Sequence, residues 1–231
     1  MKIELCVASI EAIDLAGKFE FDRIELCQVL EIGGLTPSIA MQKIAFKKFP
    51  NVHVLIRCRQ GNFVYSSDEK ELMLHDVGES VNLGASGVVI GSLLADFSLD
   101  IEFIKTIRQK YPTLELTFHR AFDDLVNPLE SLEQLIDLGV TRVLTSGGKA
   151  NVVEGIQQIQ ECISRASGRI EIMIGGGINE NNISGILAQI EPDAVHFSGT
   201  ISNDKKSNSL FEEKLLQVDE QKVKNILKKI R

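Results

Sequence analysis

Apolar residues recur along this chain with two different periods. Eight short stretches alternate or run apolar in the manner of extended backbone: Ile3–Val7, Arg23–Cys27, Val52–Arg57, Gly87–Ile90, Glu115–His119, Arg142–Thr145, Ile170–Ile174 and Ala194–Ser198. Between them, apolar residues return every three or four positions. Ile104, Ile107 and Tyr111 are one such set, and Leu129, Leu132, Leu135, Ile136 and Leu138 are another. Strands that alternate with helices predict right-handed βαβ units and a parallel sheet. Eight such units in 231 residues predict a single-domain α/β fold, the TIM-type (β/α)8 barrel. Its core is expected at about 3–199, followed by a C-terminal helical segment at about 208–231. An open doubly wound sheet is the alternative architecture. No Gly-x-Gly-x-x-Gly follows the first strand, which counts against a dinucleotide-binding version of it.

The punctuation fits these elements. Gly84 and Gly139 fall where helices should stop before a strand, because glycine takes the left-handed conformation at little cost. Pro37 and Pro128 fall near expected helix starts. Asn203–Ser209 reads as a polar linker. A net charge of -7 argues against non-specific binding to nucleic acid or to an anionic membrane. No stretch is long and apolar enough to cross a bilayer. Met1-Lys2-Ile3-Glu4 enters a strand at once, which leaves no room for a signal peptide, so a cytoplasmic location is expected. Four cysteines in this length are then expected to be thiols.

Alternation also says which side chains enter the barrel. Ile3-Glu4-Leu5-Cys6 and Ile24-Glu25-Leu26-Cys27 repeat one tetrapeptide in consecutive strands. With Ile3, Leu5 and Val7 toward the helices, Glu4, Cys6, Glu25 and Cys27 point inward. The same parity sends Arg57, Thr117, His119, His196 and Ser198 inward, with Ser146 at the end of the sixth strand and Arg59 in a nearby loop. Buried charges need partners, so Glu4 and Glu25 are expected to balance Arg57 and Arg59, as a structural network or as the wall of a pocket. Leu116–Asp123 begins as a strand and ends as a loop, where parallel barrels carry their sites. His119, Arg120 and Asp123 within it read equally as a site or as a satisfied His beside a local ion pair.

A set of longer motifs occurs in a fixed order. It comprises Glu4-Leu5-Cys6-Val7, Arg23-Ile24-Glu25-Leu26-Cys27, Gly33-Gly34 with Thr36-Pro37-Ser38, Ile56-Arg57, Phe63-Val64-Tyr65-Ser66, Thr117-Phe118-His119-Arg120-Ala121-Phe122-Asp123, Leu144-Thr145-Ser146-Gly147-Gly148 and Gly175-Gly176-Gly177-Ile178. With them the chain resembles the CutC family, the copper homeostasis proteins, from about Ile3 to Ser198. The resemblance implies a TIM-type barrel, a cytoplasmic location and copper ion binding, with Cys6 and Cys27 as the candidate Cu(I) ligands. Departures from the family pattern include four that bear on its ligand. Ala8 stands where the family commonly has Asp, Ile32 where it tends to have Glu, Cys58 where it has Pro, and Asn62 where it has Asp.

Two functional readings follow. In the first, copper is the ligand: Cu(I) is soft and prefers thiolates, and thiols at matching positions on strands about 4.8 Å apart could bridge one ion. A buried thiol pair without metal is the plainer account of the same residues. In the second, the chain is an enzyme acting on a small anionic molecule, phosphorylated or carboxylated, at the barrel mouth. His119 is then the candidate acid or base with Glu25 as its partner, and Asp123 is a further catalytic candidate. Arg57, Arg59, Arg120 and Ser146 are candidates to hold the anion, as are Gly175, Gly176, Gly177, His196 and Ser198 after strands seven and eight. Asn179 is expected to cap the next helix. A role without chemistry is the third class: the last residues, Val223–Arg231, read as an amphipathic helix over the outer wall, and a homo-oligomer is compatible with it. The expected partner is a small-molecule or metal ligand.

Overall fold

The computed structural model describes residues 1–203 and 215–231. Eight parallel strands close into a barrel: β1 (Lys2–Val7), β2 (Arg23–Leu26), β3 (Val52–Leu55), β4 (Gly87–Ile90), β5 (Glu115–Phe118), β6 (Arg142–Thr145), β7 (Glu171–Gly175) and β8 (Ala194–Phe197). Each strand pairs with its sequence neighbour, and β1 closes the ring against β8. The helices alternate with them: α1 (Ile10–Lys18), α2 (Ile39–Lys48), α3 (Ser67–Leu83), α4 (Ile101–Lys110), α5 (Pro128–Asp137), α6 (Val152–Ala166) and α7 (Ile183–Leu187). The (β/α)8 expectation is met, and closure of the ring rules out the open sheet.

Local chemistry sets the helix ends. Ser66 accepts from the Glu69 N–H while the Glu69 carboxylate accepts from the Ser66 N–H, a complete capping box for α3. Gly84 ends that helix at φ 109°, a conformation that suits glycine. Pro128 opens α5. Ser38, directly after Pro37, caps α2. Asn179 does not cap α7: Asn182 holds that position, and Asn179 closes a local turn, accepting from the Asn181 N–H and donating to the Gly177 carbonyl. An Asn can satisfy either arrangement, so residue type alone did not separate them.

The C-terminal region departs from expectation. After β8 the chain forms an antiparallel pair, β9 (Thr200–Asn203) with β10 (Leu215–Val218), and helix α8 starts only at Glu220 and runs to Ile230. Of the expected linker Asn203–Ser209, all but Asn203 lies outside the described residues, as does the expected helix between 208 and 214. Val223, Ile226 and Leu227 of α8 are buried against the barrel, as its apolar stripe requires.

Two apolar layers hold the barrel. The larger lies between strands and helices and includes Leu5, Ile24, Val54, Phe118 and Ile174. The smaller lies inside the ring, where Cys6, Cys27, Leu55 and Val89 pack together, with Leu144, Met173 and Ala194 on the opposite wall. The register also corrects a sequence reading. Cys6 pairs with Glu25 and Glu4 with Arg23, so the two identical tetrapeptides are staggered by two residues. Strands in a barrel must stagger for the ring to close.

Candidate functional site

At the base of the barrel lies a buried charge network. The Arg23 guanidinium donates to Glu4 Oε2, and His196 Nδ1 meets Glu4 Oε1 at 2.6 Å. Arg142 lies at the same end and reaches Glu115 at 2.7 Å, Glu171 at 3.0 Å and His53 Nδ1 at 3.2 Å. Burial opposes charge on Glu4, but the hydrogen bond from His196 and the charge of Arg23 outweigh it and hold the carboxyl far below its ordinary range. The expected balance of Glu4 and Glu25 by Arg57 and Arg59 is therefore not what forms. Arg23 does that work. It shares the parity of Glu25 and Cys27, so strand alternation already sent it inward, and His53 shares that of Arg57 in the same way.

Above the network sit the sulfur atoms. Cys6 Sγ lies 3.7 Å from Cys27 Sγ and 3.6 Å from Glu25 Oε1. Cys6, Glu25 and His196 each present a donor atom, all within 4.8 Å of one another. With Nδ1 bound to Glu4, the other His196 nitrogen, Nε2, is left for a ligand. The shared contact with Cys27, then burial, then nearby carboxylates push the Cys6 thiol well above its ordinary range. Burial also raises Glu25. For His196 burial acts downward, but the Glu25 charge and the Glu4 hydrogen bond prevail and raise it.

The C-terminal ends of the strands open into a cavity of about 680 Å3. Cys6, Glu25, Arg57, His119, Arg120, Asp123, Gly176, Gly177, His196 and Ser198 line it, as expected for a site at this end. Ile32, one of the departing positions, also lines it, while Ala8 packs on the thiol layer below. Lys222 lines it as well. Nothing in the repeating βα pattern signals Lys222, because it arrives on α8 from outside that pattern.

Among the described residues no hydrogen bond joins Glu25 to His119. Its Nδ1 accepts from the Ala121 N–H at 3.0 Å, which places the ring proton on Nε2. Burial, then the Arg57 charge, push its pKa down to about 3, so it is a neutral hydrogen-bond donor. A Cβ on Gly91 would collide with its ring, so the absence of a side chain there makes the room. Arg57 is held by carbonyls, donating to Ile32 and Gly34 through Nη1 and to Gly61 through Nη2, each at 3.0 Å. Arg120 donates to Asp123 at 2.8 Å and to Ser146 at 2.6 Å. Asp123 also accepts from Thr145 and from the Gly148 N–H, so this trio clamps the β5 and β6 loops.

Besides Glu4 in the network below, four predicted residues lie off the cavity. Arg59 turns outward to Glu69 at 2.5 Å and stacks over Tyr65. Ser146 and Gly175 sit behind the cavity wall, and Cys27 is buried beneath Cys6. Of the other departing positions, Cys58 is half-buried and off this cavity, and Asn62 gives its carbonyl to Arg59. Among the described residues, no helix is long and apolar enough to cross a membrane.

Comparison with known proteins matches the CutC family model to residues 1–201. A CutC protein of Glaesserella parasuis is 39% identical over 241 residues, covering 100% of this chain and 99% of that protein. One from Pasteurella multocida is 44% identical over 201 residues, covering 86% and 82%. A crystal structure described as the putative copper homeostasis protein CutC from Streptococcus agalactiae superposes with a TM-score of 0.78 at 34% identity, over 85% of this chain and 97% of that one.

Proposed function

The chain belongs to the CutC family, and on that premise we propose that it is a copper homeostasis protein that takes Cu(I) as its cargo. One observation carries the reading: two buried thiols whose sulfurs are 3.7 Å apart, with Glu25 and His196 beside them. The donor set suits the ion. Cu(I) is soft, accepts low coordination numbers and prefers sulfur, with imidazole as a further ligand. Cys6 and Cys27 would hold it, and His196 would approach through Nε2. The Glu4 bond to Nδ1 fixes that ring in the manner of outer-shell carboxylates at metal sites. Both thiols would be reduced in the cytoplasm, which we propose as the location.

Anaerobic titration of the reduced protein with Cu(I) against a competing chelator tests this. One-to-one binding is expected, lost in the Cys6→Ser/Cys27→Ser double variant while its circular dichroism is unchanged. Equal weak binding by both proteins overturns the proposal. The thiol protons must leave when metal binds, and the Cys6 proton is held unusually tightly. Apparent affinity should therefore rise with pH across the neutral range, by up to about tenfold per unit for each proton displaced. A flat profile would remove Cys6 from the ligand set.

A further inference from the structure

The copper reading uses the thiols and His196 and leaves most of the cavity lining unexplained. Two polar side chains lining that space are buried and incompletely bonded. His119 and Glu25 are each 6% exposed, and neither His119 Nε2 nor Glu25 Oε2 has a hydrogen-bond partner among the described residues. A buried donor and a buried acceptor left unbonded, on two side chains that line one cavity, cost free energy unless a ligand completes them. Their chemistry is complementary: the ring N–H asks for an oxygen, and the carboxyl asks for a hydroxyl.

On the β7–β8 side the lining changes character. Gly176 and Gly177 follow one another at φ 114° and 72°, and among the described residues their N–H groups have no protein acceptor. Two successive amides without an acceptor are donors available to an anion. Ser198 Oγ and Thr200 Oγ1 lie 2.9 Å apart beside it, and Lys222 donates to the Thr200 carbonyl at 2.8 Å without a carboxylate partner among the described residues. The two arginines of the cavity, by contrast, have their forks engaged: Arg57 on carbonyls, Arg120 on Asp123, Ser146 and the Lys149 carbonyl. Planar carboxylates are matched by a free guanidinium fork, whereas a lysine point charge with hydroxyls and amides suits a tetrahedral phosphate.

We propose that the barrel mouth binds a small phosphorylated polyhydroxy compound, its phosphate at Lys222, Ser198 and Gly176–Gly177 and its hydroxyl or carbonyl oxygens at His119 and Glu25. A cavity of about 680 Å3 is in the range of small-molecule sites. The proposal places no ligand atom on the thiols; Glu25, 3.6 Å from Cys6 Sγ, is the residue it shares with the copper reading.

Full-length, metal-free protein should be titrated calorimetrically with ribose 5-phosphate, inorganic phosphate, ribose and gluconate, with thermal melting as a parallel readout. Ribose 5-phosphate is expected to bind, inorganic phosphate more weakly, and ribose and gluconate not at all. Lys222→Gln, which keeps most of the side-chain stem, should weaken both phosphate ligands by about tenfold or more. His119→Asn keeps an acceptor for the Ala121 N–H but removes the Nε2 donor. It should weaken ribose 5-phosphate and leave inorganic phosphate unchanged. No binding of either phosphate ligand at about 10 mM, a level that fills even a millimolar site, would overturn the proposal. So would binding that Lys222→Gln does not change, or a preference for gluconate.

Discussion

Replacing Arg23 by Met will destabilise the barrel by about 3–5 kcal/mol, the usual consequence of removing one partner from a buried ion pair. Arg23 is 1% exposed and Glu4 is fully buried. Met matches much of the lost volume, so the loss comes from the uncompensated Glu4 charge rather than from a cavity. The double variant Arg23→Met/Glu4→Gln should recover part of it. Urea denaturation of the three proteins measures this, and a loss below about 1 kcal/mol in the single variant would show that Glu4 does not depend on Arg23.

The same network sets how stability follows pH. The Glu4 carboxyl is held below its unfolded value. Its contribution is therefore present above the ordinary carboxylate range and is lost as pH falls toward the depressed folded value. His196 is held above its unfolded value. Its contribution is complete below the ordinary imidazole range and is lost as pH rises through the elevated folded one. Stability should be highest between these limits. In Arg23→Met the acid side of the profile should flatten, because Glu4 has lost a charge that kept it ionised.

Gly155→Ala will destabilise the protein by about 2–3 kcal/mol, although the residue lies inside helix α6. At an exposed helical position the same change stabilises by about 1 kcal/mol, because glycine gives up more backbone freedom than alanine on folding. Here a Cβ would run into the Ser146 carbonyl and lie 2.8 Å from Gly147 Cα. Those neighbours are backbone and cannot rotate away. Gly147, at φ 75°, faces the same contact from the loop side. Gly17 in α1 provides the control, since nothing lies within 4 Å of a Cβ built there. Thermal melting should place Gly17→Ala at or above the parent and Gly155→Ala well below it. If both shift the same way, backbone contact is not what holds α6 against the β6 loop.

The barrel was legible in the sequence because each strand carries its own alternation and each helix its own stripe. Those are local periods, and they located all eight strands within a residue or two. The inward set was legible for the same reason. Glu4, Cys6, Glu25, Cys27, Arg57, His119 and His196 all face the barrel interior or its mouth. Which of them meet was not legible. Matching tetrapeptides suggested Cys6 opposite Cys27 and carboxylates opposite Arg57, but the stagger put Glu25 opposite Cys6 and Arg23 opposite Glu4. His119 looked like a base from its neighbours in sequence, yet its Nδ1 is spent on the Ala121 N–H, and burial, then the Arg57 charge, push its pKa down to about 3. Arg59, one strand-end away from Arg57, was drawn outward by Glu69, which the helix-capping box fixes in place.

By itself, the sequence determined the closed βα repeat, the face on which each strand residue lies, and the family. These depend on periodicity along the chain and on motif order, which a single strand or loop already contains. The tertiary structure alone decided the partners: the Glu4–Arg23–His196 network, the thiol pair, the neutral state of His119 and the arrival of Lys222 at the mouth. Each depends on how far one strand slides past the next, or on where a helix more than 200 residues from the first strand returns. A shift of two residues exchanges one charge partner for another while leaving every hydrophobic position in place, so the pattern that specifies the fold does not distinguish among the pairings that build the site.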